Sequence, residues 1–276
     1  MSYKTILVHL DNGKRAATRL DIAIVLARKF EAHVVGLHAL TAVPIPSYVL
    51  SEGGPSIAIQ QQKNAQEQAA RAEGLFRAAV DKAALSGAEW RRSAGDALDA
   101  CTLHARYADL VVIGQADSSD NPGVEPEFPE QFVLSAGRPV LVVPYAGKFP
   151  TVGERVLISW NAGREATRAV TDAIPLLRLA KAVDVIAFNP DGDPHGEVPG
   201  ADIGLYLARH GVKVKVAHHR ADDVDVGNQI LSRAADLGTD LIVMGAWGHS
   251  RVRELILGGV TRTLLETMTV PVLMSH

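Results

Sequence analysis

Four glycines and three arginines fall within residues 245–262, GAWGHSRVRELILGGVTR, between two apolar runs. Glycine inside a helix costs about 1 kcal/mol relative to alanine, so Gly245, Gly248, Gly258 and Gly259 call for a reason. Gly245 ends an apolar, strand-like run. Gly248 lets the backbone turn closely, and His249 to Leu257 then has helical spacing. Gly258 and Gly259 interrupt that helix, and Val260 to Met268 resumes it with Leu264, Leu265 and Met268 as its apolar positions. A restarted helix offers fresh backbone N–H donors, and missing side chains leave room for an anion to reach them. The chemistry so permitted is phosphate binding. Glycines that only cap helices or allow close packing would give the same spacing. The stretch is neither a P-loop nor a GxGxxG fingerprint.

Arg251, Arg253 and Arg262 could pair with phosphate oxygens, although helical spacing puts Arg251 and Arg253 on different faces. For each of them, and for His249, a solvated surface position is favoured over a ligand contact. Trp247, between two glycines, is read as packing on a neighbouring helix. Two further clusters have plainer explanations. His218 and His219 precede Asp222, Asp223 and Asp225, but adjacent strand residues point to opposite faces, so a strand end followed by an Asp helix cap is favoured over a metal. Asp193 and His195 lie in the Pro- and Gly-rich run NPDGDPHGEVPG, read as an exposed loop. Cys101 is read as a small buried apolar residue on a helix. There is no nucleophile elbow, paired Cys and His, or HExxH helix, so binding has better support than catalysis.

The elements that must position these residues repeat. TILVHLDNGKRA (5–16) aligns with RVLISWNAGREA (155–166), ADLVVIG (108–114) with TDLIVMG (239–245), and RPVLVVP (138–144) with VPVLMSH (270–276). The chain is an internal duplication, with YAGKFPTVG (145–153) as linker. Apolar runs predict strands near 4–10, 32–39, 88–93, 109–114 and 139–143 in the first copy, with a long helix near 56–86. In the second they predict strands near 155–160, 183–188, 212–218, 240–245 and 270–274, and helices near 163–180, 197–210, 223–237 and 249–268. Strands alternating with helices give parallel sheets covered on both faces. In such sheets ligands bind at the carboxyl ends of the strands, where strand order reverses. Those ends in the second copy are SWNAG (159–163) and GAWGHS (245–250).

The set Gly245-x2-Gly248-x9-Gly258, following a strand and followed by a helix and a VPVL strand, resembles the ATP-binding signature of the universal stress protein family. With the duplicated plan, the chain resembles its tandem-domain members along essentially its whole length. The resemblance implies an α/β fold of two tandem, doubly wound, parallel five-stranded domains, adenine nucleotide alpha hydrolase-like, at 1–146 and 153–276. It implies fifth strands paired as an internal pseudo-dimer, with a homodimer of chains a further expectation. It also implies ATP, with Mg2+ as a companion ion, held by Gly245, Gly248 and Gly258 at phosphate and ribose, by Asn161 toward the adenine end, and by Ala187 at the base. Ser159, Met244, His249 and Arg251 complete the candidate set with Gly259, Val260 and Thr261. Two positions depart from the family pattern. Gly259 stands where a Ser or Thr hydroxyl usually contacts phosphate, with Thr261 as a substitute, and Asn161 replaces the usual Asp. A stress-related or regulatory nucleotide binder is the expected function, and a protein scaffold with both sites degenerate is its rival.

In the first copy Gly114 matches Gly245, but Asp117 stands at the place of Gly248, and Asp120, Glu125, Glu127 and Glu130 follow with no Lys or Arg between Tyr107 and Gly137. Carboxylates repel phosphate, so this copy is expected to have lost nucleotide binding. Composition agrees with a globular chain: 47% hydrophobic, 21% charged and a net charge of -3, which offers nucleic acid no basic face. A single cysteine and an N-terminal apolar run too short for a signal or a span predict a cytoplasmic protein without a membrane partner.

Overall fold

The computed structural model describes residues 2–40, 47–188, 200–220, 225–246 and 259–276, the side chains of residues 47–58 excepted. The first half contains β1 (Thr5–His9), α1 (Ala16–Phe30), β2 (His33–Leu40), α2 (Ser47–Ala83), β3 (Ala88–Ala94), α3 (Ala97–Ala105), β4 (Leu110–Gly114), α4 (Phe128–Ser135) and β5 (Val140–Val143). The second contains β6 (Arg155–Trp160), α5 (Arg164–Leu177), β7 (Ala182–Phe188), α6 (Ala201–Arg209), β8 (Lys215–His219), α7 (Val226–Asp236), β9 (Leu241–Gly245), α8 (Gly259–Thr267) and β10 (Val272–Ser275). All ten strands fall where the apolar runs predict them, with ends shifted by up to three residues at β8. The largest difference is α2, which runs nine residues further toward the N-terminus than the predicted 56, through Gly53, Gly54 and Pro55. Local propensity disfavours those three residues in a helix interior, and the shift marks a limit of propensity as a guide.

Each half is a parallel sheet, and the two join into one ten-stranded sheet of order β3-β2-β1-β4-β5-β10-β9-β6-β7-β8. Every pairing within a half is parallel, and β5 and β10 meet antiparallel, Leu141 opposite Leu273 and Val142 opposite Val272. The fifth strands therefore pair as expected for a pseudo-dimer. All eight residues of β5 and β10 are buried, so either strand left as a free edge would expose an apolar row with unpaired backbone groups. The true edges are β3 and β8, whose residues are partly or fully exposed and include Arg91, Arg92, Lys215 and His218. Charged side chains on an edge discourage pairing with another chain.

Two apolar layers cover the sheet. One packs α1 and α5 on Ile6, Val8, Val112, Leu141, Ile158, Val243 and Leu273. The other packs α3, α4, α7 and α8 on Leu7, Val111, Val140, Leu157, Ile242 and Val272. Both layers run through both halves, because alternate residues of every central strand face opposite sides. Polar bonds also cross the join. The Tyr3 hydroxyl donates to the Asp172 carbonyl at 2.6 Å, Arg168 Nη2 to the Gly137 carbonyl at 2.7 Å, and Gln115 Nε2 to the Leu265 carbonyl at 2.9 Å. Among the described residues no helix is long and apolar enough to cross a membrane.

Leu141 and Leu273 face each other across the join in the same layer. Truncating either to alanine should cost about 2–5 kcal/mol in urea unfolding. The two losses should also be coupled by about 0.5 kcal/mol or more in a double-mutant cycle. Additive losses would mean that the strands do not meet in solution as described.

Candidate functional site

Strand order reverses twice, once between β1 and β4 and once between β6 and β9. A cavity opens beyond the carboxyl ends of β1 and β4, and the ends of β6 and β9 mark the matching place in the second half, the position where open α/β sheets take ligands. At the second, β6 delivers Ser159 and the turn at Asn161, while β9 delivers Met244 and Gly245, with Ser159 in register with Met244. The sequence-derived set is thus brought to one sheet end but divided between faces. Strand alternation puts Ser159 and Met244 on the side of α7 and α8, with Leu157 and Ile242. It puts Gly245 and Ala187 on the side of α5, with Val243 and Val185. Ala187 is fully buried near the end of β7, opposite Trp160.

Asn161 has a local task. Its Oδ1 accepts from the Gly163 amide at 3.0 Å, and Asp11 Oδ1 accepts from the Gly13 amide at 2.8 Å at the matching point of the first half. Both side chains close the turn that starts the following helix, and an Asn does this as well as an Asp. Gly245 is explained by close approach: a Cβ there would lie 2.4 Å from the Ala166 amide nitrogen and 2.6 Å from the Glu165 carbonyl carbon. The start of α5 is seated directly on the end of β9. Glu165, which sequence reasoning passed over, brings a mostly buried carboxylate to this point, paired with Arg164 at 2.8 Å. Burial works against that carboxylate, and Arg164 together with a backbone amide outweighs it and holds its pKa below the usual range. The letters at 165 are visible in the alignment of the two copies, where Arg15 faces Glu165.

α8 is described from Gly259, where a Cβ would meet nothing within 4 Å among the described residues. Val260 is half-buried and Thr261 buried. Arg262 instead pairs with Glu266 one turn on, at 2.8 Å, on the helix surface. Trp247, Gly248, His249, Arg251, Arg253 and Gly258 lie outside the described residues, as do Asp193, His195, Asp222 and Asp223. Asp225 accepts from the Asn228 amide at 3.2 Å as the N-cap of α7, and His219 Nδ1 lies 3.2 Å from Arg233 Nη2. Cys101 is fully buried on α3, and burial pushes its thiol pKa up, away from reactivity.

The first-half crevice is built differently. Beyond Gly114 lies a cavity of about 780 Å3 whose walls include the acidic loop, with Asp117, Asp120 and Glu125. Sequence reasoning missed the two arginines that also line it, Arg15 and Arg19, because they come from the start of α1 rather than from that loop. Arg19 is 3% exposed, and its Nη2 donates to the Asp11 carboxylate, itself 8% exposed. A Cβ on Gly114 would lie 2.2 Å from Arg19 Nη1, so this glycine makes room for a guanidinium where Gly245 makes room for a helix start. The signal was the duplicate itself: position 169, which matches 19, is Ala169.

Residues 2–144 and 160–276 each match the family model described as "Universal stress protein family". Universal stress protein Slr1230 of Synechocystis is 28% identical over 148 residues, which are 52% of this chain and 49% of that protein. The chain thus aligns with about half the length of that curated relative. In fold it is similar to a universal stress protein from Archaeoglobus fulgidus, with a TM-score of 0.73 at 17% identity over 98% of this chain and 95% of the other. It is also similar to PA1789 from Pseudomonas aeruginosa, described as functionally unknown, with a TM-score of 0.60 at 17% identity over 99% and 92%.

His9, at the end of β1, shares the buried neighbourhood of Asp11 and Arg19. Burial is the main influence on it and pulls its pKa down to about 4, Asp11 opposing and Arg19 and His38 assisting. Burial also works against the Asp11 carboxylate, but Arg19, His9 and the Gly13 amide outweigh it and hold its pKa below the usual range. On acidification the unfolded chain protonates this histidine first, so stability due to His9 falls between pH 6.5 and about 4. The loss should be about 3 kcal/mol over that window. The contribution of Asp11 is present above its unfolded pKa and lost at still lower pH, as its folded pKa is passed. Unfolding free energies measured against pH should therefore fall through the His9 window, and His9→Leu should flatten that part of the curve.

Proposed function

Because the chain belongs to the universal stress protein family, we propose that its second half binds an adenine nucleotide, ATP in the first instance, and that it serves as a nucleotide-responsive stress or regulatory protein. The observation that carries this reading is the meeting of Ser159, Met244 and Gly245 at the carboxyl ends of β6 and β9, where strand order reverses, on the half whose sequence supplies the glycine series Gly245, Gly248 and Gly258. Amides in the first turn of a helix are donors without an intrahelical partner, and the helix dipole adds to their attraction for phosphate. Gly259, Val260 and Thr261 would hold the phosphates together with Gly248, Gly258, His249 and Arg251. Ser159, Asn161 and Met244, at the ends of β6 and β9, would flank the nucleoside, with Ala187 behind them. Mg2+ would enter as a counter-ion of the phosphates, oxygen-bound and largely hydrated. The first half, with acids in place of this series, is left without a phosphate cradle.

A second reading has its own support. Gly245 is accounted for by the seating of α5, and Glu165 places a carboxylate beside it. A protein scaffold without nucleotide would need both features and no ligand.

Calorimetric titration of the full chain with ATP, ADP and AMP, and acid extraction of the purified protein, separate the two. The nucleotide reading expects released nucleotide or saturable heat. It also expects Gly248→Asp, which imitates Asp117 of the first half, to lower affinity at least tenfold while leaving the thermal midpoint of the unliganded protein in place. Absence of heat and of extracted nucleotide, or an unchanged affinity in Gly248→Asp, would favour the scaffold.

A further inference from the structure

We propose that the first-half cavity is a second binding site, for a small zwitterionic ligand that carries a carboxylate at one end and an ammonium at the other. This does not rest on nucleotide binding in the second half. Arg19 lines the cavity and is 97% buried; its Nη2 donates to Asp11, and its Nε has no hydrogen-bond partner among the described residues. Arg15 lines the same cavity, its Nη2 donating to the Gly147 carbonyl at 2.6 Å, and its buried Nε also lacks a partner there. A buried donor without an acceptor is costly, and guanidinium groups suit the oxygens of a carboxylate or phosphate.

Carboxylates line the same cavity: Asp117, Asp120, Glu125 and Glu266. Asp120 is partly answered by Lys14, 3.9 Å away, and Glu266 by Arg262 at 2.8 Å. Asp117 accepts from Ser119 alone, through its amide and its hydroxyl, and Glu125 is exposed. A multiply charged phosphate passing these carboxylates would be repelled, whereas a ligand with a trailing ammonium would be attracted at both ends. Phe128, Pro129 and Leu265 supply apolar wall between the two ends. The volume, about 780 Å3, is within the range of small-molecule pockets.

The wall is shared between the halves. Leu265 and Glu266 come from α8 of the second half, and Gln115, which follows Gly114, fixes them in place by donating to the Leu265 carbonyl at 2.9 Å and accepting from the Tyr145 amide at 3.0 Å. At the positions that match Asp11 and Arg19 the second half carries Asn161 and Ala169.

The test uses the full chain and calorimetric titration with 6-aminohexanoate, hexanoate, hexylamine and inorganic phosphate as probes. 6-Aminohexanoate should bind at least about fivefold more tightly than either hexanoate or hexylamine, and phosphate more weakly than all three. The exposed pair Asp117→Asn and Glu125→Gln should weaken 6-aminohexanoate by about two- to tenfold without weakening hexanoate, whose repulsion by the rim it relieves. Asp11→Asn with Arg19→Ala copies the second half and removes both buried charges together; it should abolish binding of the two carboxylates. Circular dichroism and the thermal midpoint establish that each variant is folded, and the exposed pair tests the proposal if the buried pair is not. Phosphate or hexanoate binding as tightly as 6-aminohexanoate would overturn the proposal. So would the absence of heat from 6-aminohexanoate at about 10 mM, or binding unaffected by loss of the acidic rim.

Discussion

The antiparallel contact between β5 and β10 is the constraint from which the rest of the molecule follows. A parallel five-stranded sheet ends in a strand with one unpaired side, and here both such strands are wholly buried. Pairing them satisfies two rows of backbone groups at once and makes the two apolar layers continuous across the join. An unpaired apolar edge invites aggregation, so each half acts as the cover for the other. The charged and exposed strands β3 and β8 are left as the free edges, which is where such residues do least harm.

That join also carries α8 of the second half to the first. The helix is described from Gly259, and its far end contributes Leu265 and Glu266 to the first-half cavity. Gln115 ties its far end to the first half. Duplication supplied two equivalent sheet ends, and a few substitutions set them apart. Arg19 against Ala169 decides whether the space behind the terminal glycine holds a guanidinium, and Asp117 against Gly248 decides the charge of the loop beyond.

Much of the fold could be read from the chain because parallel, doubly covered strands are short continuous apolar runs, and the copies reinforce each other's boundaries. Pairing of the fifth strands followed from the same logic, together with the family resemblance. The course of α2 through Gly53, Gly54 and Pro55 could not be read, since local propensity argues against it. At the sites, the turn residues Asn161 and Asp11 were visible, but their bonds to the Gly163 and Gly13 amides give them a structural task that spacing does not distinguish from ligand contact. Which residues of neighbouring strands share a face, such as Ser159 with Met244, depends on register, which no single strand reveals. Arg19 escaped notice because Gly114, which makes room for its guanidinium, is distant in sequence and comes beside it only when β1 and β4 pair.

The claim that the two halves form one continuous sheet is most directly tested by native-state hydrogen exchange at the amides of Val140, Val142, Val272 and Met274, which alternation turns toward the join. A continuous sheet predicts that they exchange only through global opening, with the same free energy as amides of the central strands β1 and β6. Exchange at these positions far faster than in β1 and β6 would show that the join opens by itself, and would contradict the account.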